Sequence, residues 1–157
     1  MHNLQIIKPY AIDLWSLLKP LCKRIKIAGS IRREKEECKD IEIVCVAISY
    51  KLEEFLLSQK RSGNIIYTKN GPKMKSFKWR GMQVDLFIAN ENNFGWILFL
   101  RTGPAEWNIK FMQQIKRAGY ICENGTVRKN GEAVPLKSES EVFQLINRKF
   151  VEPRGRY

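Results

Sequence analysis

Three acidic residues lie in stretches that otherwise predict buried strands. Asp40 and Glu42 open the run DIEIVCVAI, and Asp85 interrupts the apolar run QVDLFIA. Because side chains alternate along a strand, Asp40 and Glu42 point to the same face. Two carboxylates close together on one face repel each other, and a divalent cation would remove that repulsion. If the two strands are neighbours, the three acids converge and predict a Mg²⁺ site; the alternative is that each acid ends a strand and faces solvent.

A glycine turn upstream of the first two acids could hold a phosphate group. Gly29 and Ser30 follow the strand-like run IKIA, and Arg32 and Arg33 come shortly after them. A strand that enters such a turn and continues into a helix presents backbone N–H groups and a hydroxyl to an anion. The macrodipole disfavours arginines at a helix N-terminus, so two arginines there favour an anion between them and the turn. Taken alone, the Gly-Ser pair could also form an ordinary tight turn.

The elements that must position these residues are helices and strands in alternation. The pattern predicts an N-terminal helix in PYAIDLWSLLKP, with Pro9 in its first turn, Ile12 on its apolar face and Pro20 at its end. The other predicted helices are KLEEFLLSQK, NFGWILFLRTG and PAEWNIKFMQQIKRAGY, and the predicted strands are IKIAGS, DIEIVCVAI, NIIYTK, MKSFKW and MQVDLFIA.

The C-terminal part contains two local signals of its own. Asn124-Gly125 predicts a hairpin turn, and Ser138 with Glu141 predicts the capping box of a helix. A shift in composition near residues 91–104 predicts a boundary between a domain of helices and strands and a smaller, more basic α+β lobe. The expected fold class is therefore α+β in two lobes.

The composition indicates a polyanionic partner. The 157 residues include 28 Lys and Arg against 16 Asp and Glu, which gives a formal net charge of +12. Such a balance is typical of proteins that bind nucleic acid and, less often, an anionic membrane. Four cysteines without a C-x-x-C spacing and a single histidine argue against a zinc site and against histidine-based catalysis. The sequence has no apolar run of about 18 residues and no signal peptide, so a protein of the reducing cytoplasm is expected.

Together these features resemble a known enzyme signature. The order Gly-Ser, nine residues, Asp-x-Glu and a distant Asp is similar to that of the nucleotidyltransferase superfamily. The stretch GSIRREKEECKDIEIV resembles the palm motif of family X DNA polymerases, the polymerase beta family. Residues 101–157 resemble that family's thumb, with its Thr-Gly turn, a helix with an Asn, the GY hairpin, the PL.SE.EVF segment and the closing F.EP..R in order. The resemblance implies a palm with a mixed β-sheet and flanking helices over residues 1–100, a small α+β thumb over 101–157, and no N-terminal lyase or fingers domain.

The resemblance also implies roles for individual residues. Asp40, Glu42 and Asp85 would be the catalytic acids and would bind two Mg²⁺ ions, for which Mn²⁺ can substitute. The implied reaction is attack of a primer 3′-OH on the α-phosphate of a nucleoside triphosphate with release of pyrophosphate, as in short-gap filling during DNA repair by a monomeric enzyme. The residues expected to bind the nucleotide are Gly29, Ser30, Arg33, Thr102, Gly103 and Asn108.

A set of basic residues is expected to follow the phosphates of DNA, so that binding falls steeply with salt. The alternative for each of them is a solvated side chain on an exposed face. The set consists of Lys73, Lys75, Lys78, Arg80, Lys110, Lys116 and Arg117.

Three positions depart from the pattern of the family. Glu42 replaces the Asp that its polymerases normally have, Leu100-Arg101 replace an aromatic pair that often guards the sugar, and Met112 replaces a template-reading arginine. The choice between deoxy- and ribonucleotides, and between templated synthesis and template-independent terminal transfer, therefore stays open. Two other functions also remain: a nucleotidyltransferase that acts on RNA, a protein or a small molecule, and a basic nucleic-acid-binding module whose acids no longer bind metal.

Overall fold

The computed structural model describes residues 1–157, which form an α+β fold around a mixed sheet of five strands. The predicted α+β class with a mixed sheet is therefore confirmed, whereas the palm and the thumb stay a prediction. The helices are α1 (Leu4–Leu18), α2 (Gly29–Arg32), α3 (Lys51–Arg61), α4 (Phe94–Thr102), α5 (Ala105–Arg117) and α6 (Glu139–Gln144). The strands are β1 (His2–Asn3), β2 (Cys22–Ile27), β3 (Glu37–Cys38), β4 (Ile41–Ala47), β5 (Ile65–Asn70), β6 (Met74–Trp79), β7 (Met82–Ile88), β8 (Ile121–Glu123), β9 (Thr126–Lys129) and β10 (Glu132–Ala133).

The central sheet has the strand order β2-β4-β7-β6-β5, in which β4 and β7 pair in parallel and all other neighbours are antiparallel. Strand β4 is rich in β-branched residues and is buried on both faces, as expected for a strand at the centre of a covered sheet. Strands β6 and β7 are joined by a two-residue turn at Arg80 and Gly81, both with positive φ. Such turns match the twist of the paired strands and fix the register between them.

Helix α1 differs from the prediction at its start and in its buried face. It begins at Leu4 after an Asn3 cap, so Pro9 lies inside the helix and not in its first turn. Because five residues of the helix, more than one turn, precede Pro9, the predicted start was wrong, whereas its end before Pro20 is confirmed. The buried face consists of Ile7, Ala11, Leu14 and Leu18. Ile12 is 46% exposed, so it does not belong to that face.

The core is divided into three apolar clusters, and α4 belongs to two of them. The largest cluster packs α1 and α3 against one face of the central sheet. Phe94 and Leu98 of α4 join a small cluster on the opposite face, while Trp96 and Phe99 join the cluster of the C-terminal part. The proposed boundary between residues 1–100 and 101–157 falls within this helix, and the division into two domains stays a prediction.

The C-terminal part contains α5, a three-stranded sheet and α6. The predicted hairpin at Asn124-Gly125 connects β8 and β9, and the predicted capping box of Ser138 and Glu141 opens α6. Gly95 permits close packing here, because a Cβ at this position would lie 2.3 Å from backbone atoms of Ser138. None of the helices has both the length and the apolar character that crossing a membrane requires.

Candidate active site

The three predicted acids belong to two neighbouring strands of the central sheet: Asp40 and Glu42 lie at the start of β4, and Asp85 lies in the middle of β7. In the parallel pair of β4 and β7, Glu42 is the register partner of Asp85, and Asp40 directly precedes β4. Burial raises the pKa of Glu42 to about 7, with further contributions from Asp40 and Asp85, and the charges of Arg101 and Arg33 partly offset this rise. The pKa of Asp40 is also raised, first by burial and then by Asp85. Asp40 and Asp85 therefore lie close enough to Glu42 to disfavour its charged form.

Two of these carboxylates are directed toward other protein groups. The Oδ1 atom of Asp85 accepts hydrogen bonds from Ser76 Oγ at 2.7 Å and from Gln83 Nε2 at 3.4 Å. Ser76 is buried on β6 and is the register partner of Asp85. The side chain of Glu42 lies against Gly29. In these side-chain positions the structure contains no group of three His, Cys, Asp or Glu residues that could hold a metal ion.

Gly29 is required by its conformation and by its contact with Glu42. Its φ of +63° lies in the region that glycine adopts without strain, and a Cβ built on it would lie 1.8 Å from Glu42 Oε2. The backbone N–H of Ala28 donates to the carbonyl of Glu42 at 2.8 Å, which holds the turn against β4. Ser30 follows in α2, and its hydroxyl makes no hydrogen bond within the protein. The turn therefore lies directly beside the acidic end of the sheet.

The two arginines after this turn are bound by the rest of the protein. Arg32 Nη1 donates to Thr102 Oγ1 at 2.6 Å, and Arg33 Nη1 donates to the Thr102 carbonyl. The Nε of Arg33 is buried without a partner, and burial is the main cause of a lowered pKa for this residue. The sequence predicted that Arg33 faces the phosphate site; in this structure its Nη1 is directed at the end of α4.

The other predicted nucleotide-binding residues lie at the junction of α4 and α5. Thr102 is fully buried. Gly103 has a φ of +62°, and a Cβ built on it would lie 3.1 Å from Arg33 Nη1, a tight contact. Asn108 is 8% exposed, and its Nδ2 donates to the carbonyl of Leu100 at 2.8 Å. Its Oδ1 is buried without a partner. Asn108 is therefore not a solvated helix residue, and contact of these residues with a nucleotide stays a prediction.

The sequence of the chain matches viral DNA repair polymerases along most of its length. It is 26% identical to the Repair DNA polymerase X of African swine fever virus (isolate Pig/Kenya/KEN-50/1950) over 148 residues, which cover 89% of this chain and 85% of that protein. The proteins of the same name from strain Badajoz 1971 and isolate Tick/Malawi/Lil 20-1/1983 match with the same 26% identity and coverage. No family model matches the chain. The chain is therefore similar, over most of its length, to viral proteins named Repair DNA polymerase X.

In this chain, most of the basic residues expected to contact DNA are exposed. Lys75 is an exception and corrects the prediction: it is 3% exposed, and its Nζ contacts Glu53 Oε1 at 2.8 Å and Asn70 Oδ1 at 2.6 Å. Helix α3 and the neighbouring strand cover this side chain, which the alternation of the strand did not reveal. Arg80 is exposed, but pairs with Asp13 at 3.2 Å. The exposed members without such a pair are Lys73, Lys78, Lys110, Lys116 and Arg117.

A buried ionic network connects α2 with the C-terminal residues. Glu139 Oε2 contacts Arg32 Nη2 at 2.5 Å, and Glu139 Oε1 contacts Arg156 Nη1 at 2.9 Å. The Arg156 side chain is completely buried, and its Nε donates to the Val151 carbonyl at 3.0 Å. Four aromatic rings surround its guanidinium at 5.3 to 5.6 Å, those of Phe99, Trp107, Phe143 and Phe150. Sequence reasoning identified neither Glu139 in this network nor Ser76 beside Asp85.

Proposed function

We propose that this chain is a DNA repair polymerase of the polymerase beta type, which adds nucleotides to a primer 3′-OH. Its homology to the viral proteins named Repair DNA polymerase X supports this activity. The observation on which the proposal rests is the placement of Asp40, Glu42 and Asp85 on adjacent strands beside the Gly29-Ser30 turn. Residues 1–100 would act as the palm and residues 101–157 as the thumb of a monomer that binds DNA and a nucleoside triphosphate.

The donor chemistry of the site fits divalent metal ions. Asp40, Glu42 and Asp85 provide only carboxylate oxygens, which are the ligands that Mg²⁺ prefers. Burial and mutual repulsion raise the pKa values of Asp40 and Glu42, and a cation between the acids would relieve that repulsion. We assign these residues to two Mg²⁺ ions, with Mn²⁺ as a substitute. When bound, such ions lower the pKa of an attacking hydroxyl and neutralise the charge of a triphosphate.

The protein's own groups contribute position and charge. The hydroxyl of Ser30, which makes no hydrogen bond within the protein, would donate to a phosphate oxygen. Ser76 and Gln83 fix the Asp85 carboxylate by donating to its Oδ1 atom, which limits the conformations that this acid can adopt. Because phosphoryl transfer needs little covalent help from a protein, such positioning accounts for most of the rate that side chains provide.

A primer-extension assay with the variant Asp85→Asn tests this function. Gapped, nicked and single-stranded labelled primers are incubated with each dNTP or NTP and with Mg²⁺ or Mn²⁺. We expect extension of the gapped substrate by the wild type and a loss of at least about 10²-fold in Asp85→Asn, the scale of removing one electrostatic group from an active site. Extension of single strands, or use of NTPs, would instead identify a terminal transferase or an RNA-type activity.

The control variant is Asp13→Asn, which makes the same chemical change in an exposed carboxylate on α1. It should extend primers like the wild type. Thermal unfolding of both variants establishes that they fold. If folded Asp85→Asn extends primers at the wild-type rate, the assignment of the active site is wrong.

A further inference from the structure

A groove lies between the central sheet and the β8–β9 hairpin. Its volume is about 550 Å³, and one wall is formed by β6 and β7, a second by α4 and a third by the hairpin turn. Phe87 in its floor lies two positions after Asp85 on β7, and therefore on the same face of the sheet as that acid. The groove thus begins two residues beyond Asp85 on β7 and extends toward the C-terminal part, and none of the three acids lines it.

The charges and polar groups of this groove suit an anion. Lys73 and Arg101 are its two charged lining residues, and no Asp or Glu lines it. Its other polar side chains are those of Asn90, Asn93, Asn124 and Thr126. In a protein with 16 acidic residues, a groove with two cations and no carboxylate is electrostatically complementary to phosphate.

Arg101 has donors that no protein group uses. Its side chain is exposed and makes neither a hydrogen bond nor an ion pair, in contrast to Arg32, Arg33 and Arg156. Its guanidinium lies 4.1 Å from the centre of the Phe87 ring, a cation–π contact that restricts its orientation. A guanidinium held in this way presents its planar fork of N–H groups to a ligand with little loss of conformational freedom.

We propose that Arg101, assisted by Lys73, binds a phosphate group of the substrate in this groove. The proposal rests on the proposed function, because that function supplies two sources of phosphate: the backbone of the DNA and the triphosphate of the incoming nucleotide. Arg101 occupies a position at which the family pattern often has an aromatic side chain. The position therefore acquires a binding role here that an aromatic residue could not fill by charge.

The test compares the variants Arg101→Gln, Lys73→Gln and Arg61→Gln. Arg61 is a matched control, because it is an exposed arginine in the last turn of α3, just as Arg101 lies in the last turn of α4. Its replacement removes the same charge and the same interaction with a helix dipole, but lies outside the groove. Thermal unfolding shows that each variant is folded before binding is measured.

The first measurement is binding of a fluorescent gapped duplex by anisotropy at several salt concentrations, in buffer without divalent metal. If the ligand is backbone phosphate, Arg101→Gln lowers the affinity about tenfold and reduces the slope of log K against log salt by about 0.9, whereas Arg61→Gln changes neither by as much. Lys73→Gln is expected to change both in the same direction. The second measurement is the KM for dNTP, which rises about tenfold in Arg101→Gln with unchanged DNA affinity if the ligand is the triphosphate.

The proposal is overturned if Arg101→Gln matches Arg61→Gln in both DNA affinity and KM. Its failure is distinguishable from failure of the proposed function, because anisotropy requires no catalysis. A wild-type protein that extends no primer, but loses DNA affinity specifically in Arg101→Gln, would refute the polymerase and support the phosphate site. An active polymerase whose Arg101→Gln variant is unaffected would do the opposite.

Discussion

Replacing Glu139 by Gln should remove a large part of the stability of the protein. The carboxylate, with 5% of its side chain exposed, is the shared partner of Arg156, which is fully buried, and of Arg32. Glu139→Gln retains the size and one acceptor but leaves two guanidinium groups without a counter-charge. Breaking a buried ion pair by removing one partner costs about 3–5 kcal/mol. Since Arg32 retains some solvent and its bond to Thr102, we expect about 3 kcal/mol, the lower end of that range.

Urea unfolding followed by tryptophan fluorescence measures this loss. With a slope of about 2 kcal/mol per molar urea, the midpoint of Glu139→Gln should fall by about 1.5 M. The control is Glu132→Gln, the same change in an exposed residue of β10, which should stay within about 0.5 kcal/mol of the wild type. The double variant Glu139→Leu with Arg156→Met removes the buried pair as a unit and should regain most of the loss. A midpoint for Glu139→Gln equal to that of Glu132→Gln would refute the reasoning.

Two further predictions concern the acidic end of the sheet. Gly29→Ala should reduce primer extension at least about tenfold and should lower the free energy of unfolding by more than Gly81→Ala does. Both positions have positive φ, but only a Cβ at Gly29 meets Glu42. Equal effects of the two variants on stability and extension would contradict this. Without divalent metal, stability should fall as the pH rises from about 4.5 to about 7, since folded Glu42 retains its proton up to about pH 7 whereas the unfolded chain releases it near pH 4.5. Urea titrations between these pH values should show that the free energy of unfolding of Glu42→Gln lacks this part of the pH dependence. The same pH dependence in both proteins would be evidence against the raised pKa of Glu42.

The elements and the acidic end of the sheet could be predicted because their signals are local. Asp40, Glu42 and Asp85 interrupt apolar runs that predict strands, and the alternation of side chains assigns them to one face. That β4 and β7 are parallel neighbours required the additional assumption that the two strands pair, which the structure confirms. The turn at Asn124-Gly125 followed equally directly, since both residues of an Asn-Gly pair adopt positive φ readily.

Contacts between distant parts of the chain could not be predicted in this way. In the sequence, Ser76 is one polar residue of an alternating strand. Its hydrogen bond to Asp85 depends on the register between β6 and β7. Glu139 occupies the first turn of α6, where an acid is favoured by the helix dipole alone, so its sequence context gave no sign of two buried arginine partners. Lys75 was interpreted as an exposed cation because its pairing with Glu53 exists only once α3 packs on the sheet.

The position of α4 in two apolar clusters has a consequence for the way in which the protein unfolds. Phe94 and Leu98 pack on the sheet, while Trp96 and Phe99 pack in the C-terminal part. One short helix therefore contributes side chains to both apolar cores. Neither part can lose α4 without exposing aromatic surface of the other. The cores therefore melt together in one cooperative transition, and a fragment cut at residue 100 would leave Trp96 and Phe99 facing water. The covalent continuity of the chain matters less here than this shared helix, which makes the sheet and the C-terminal part a single thermodynamic unit.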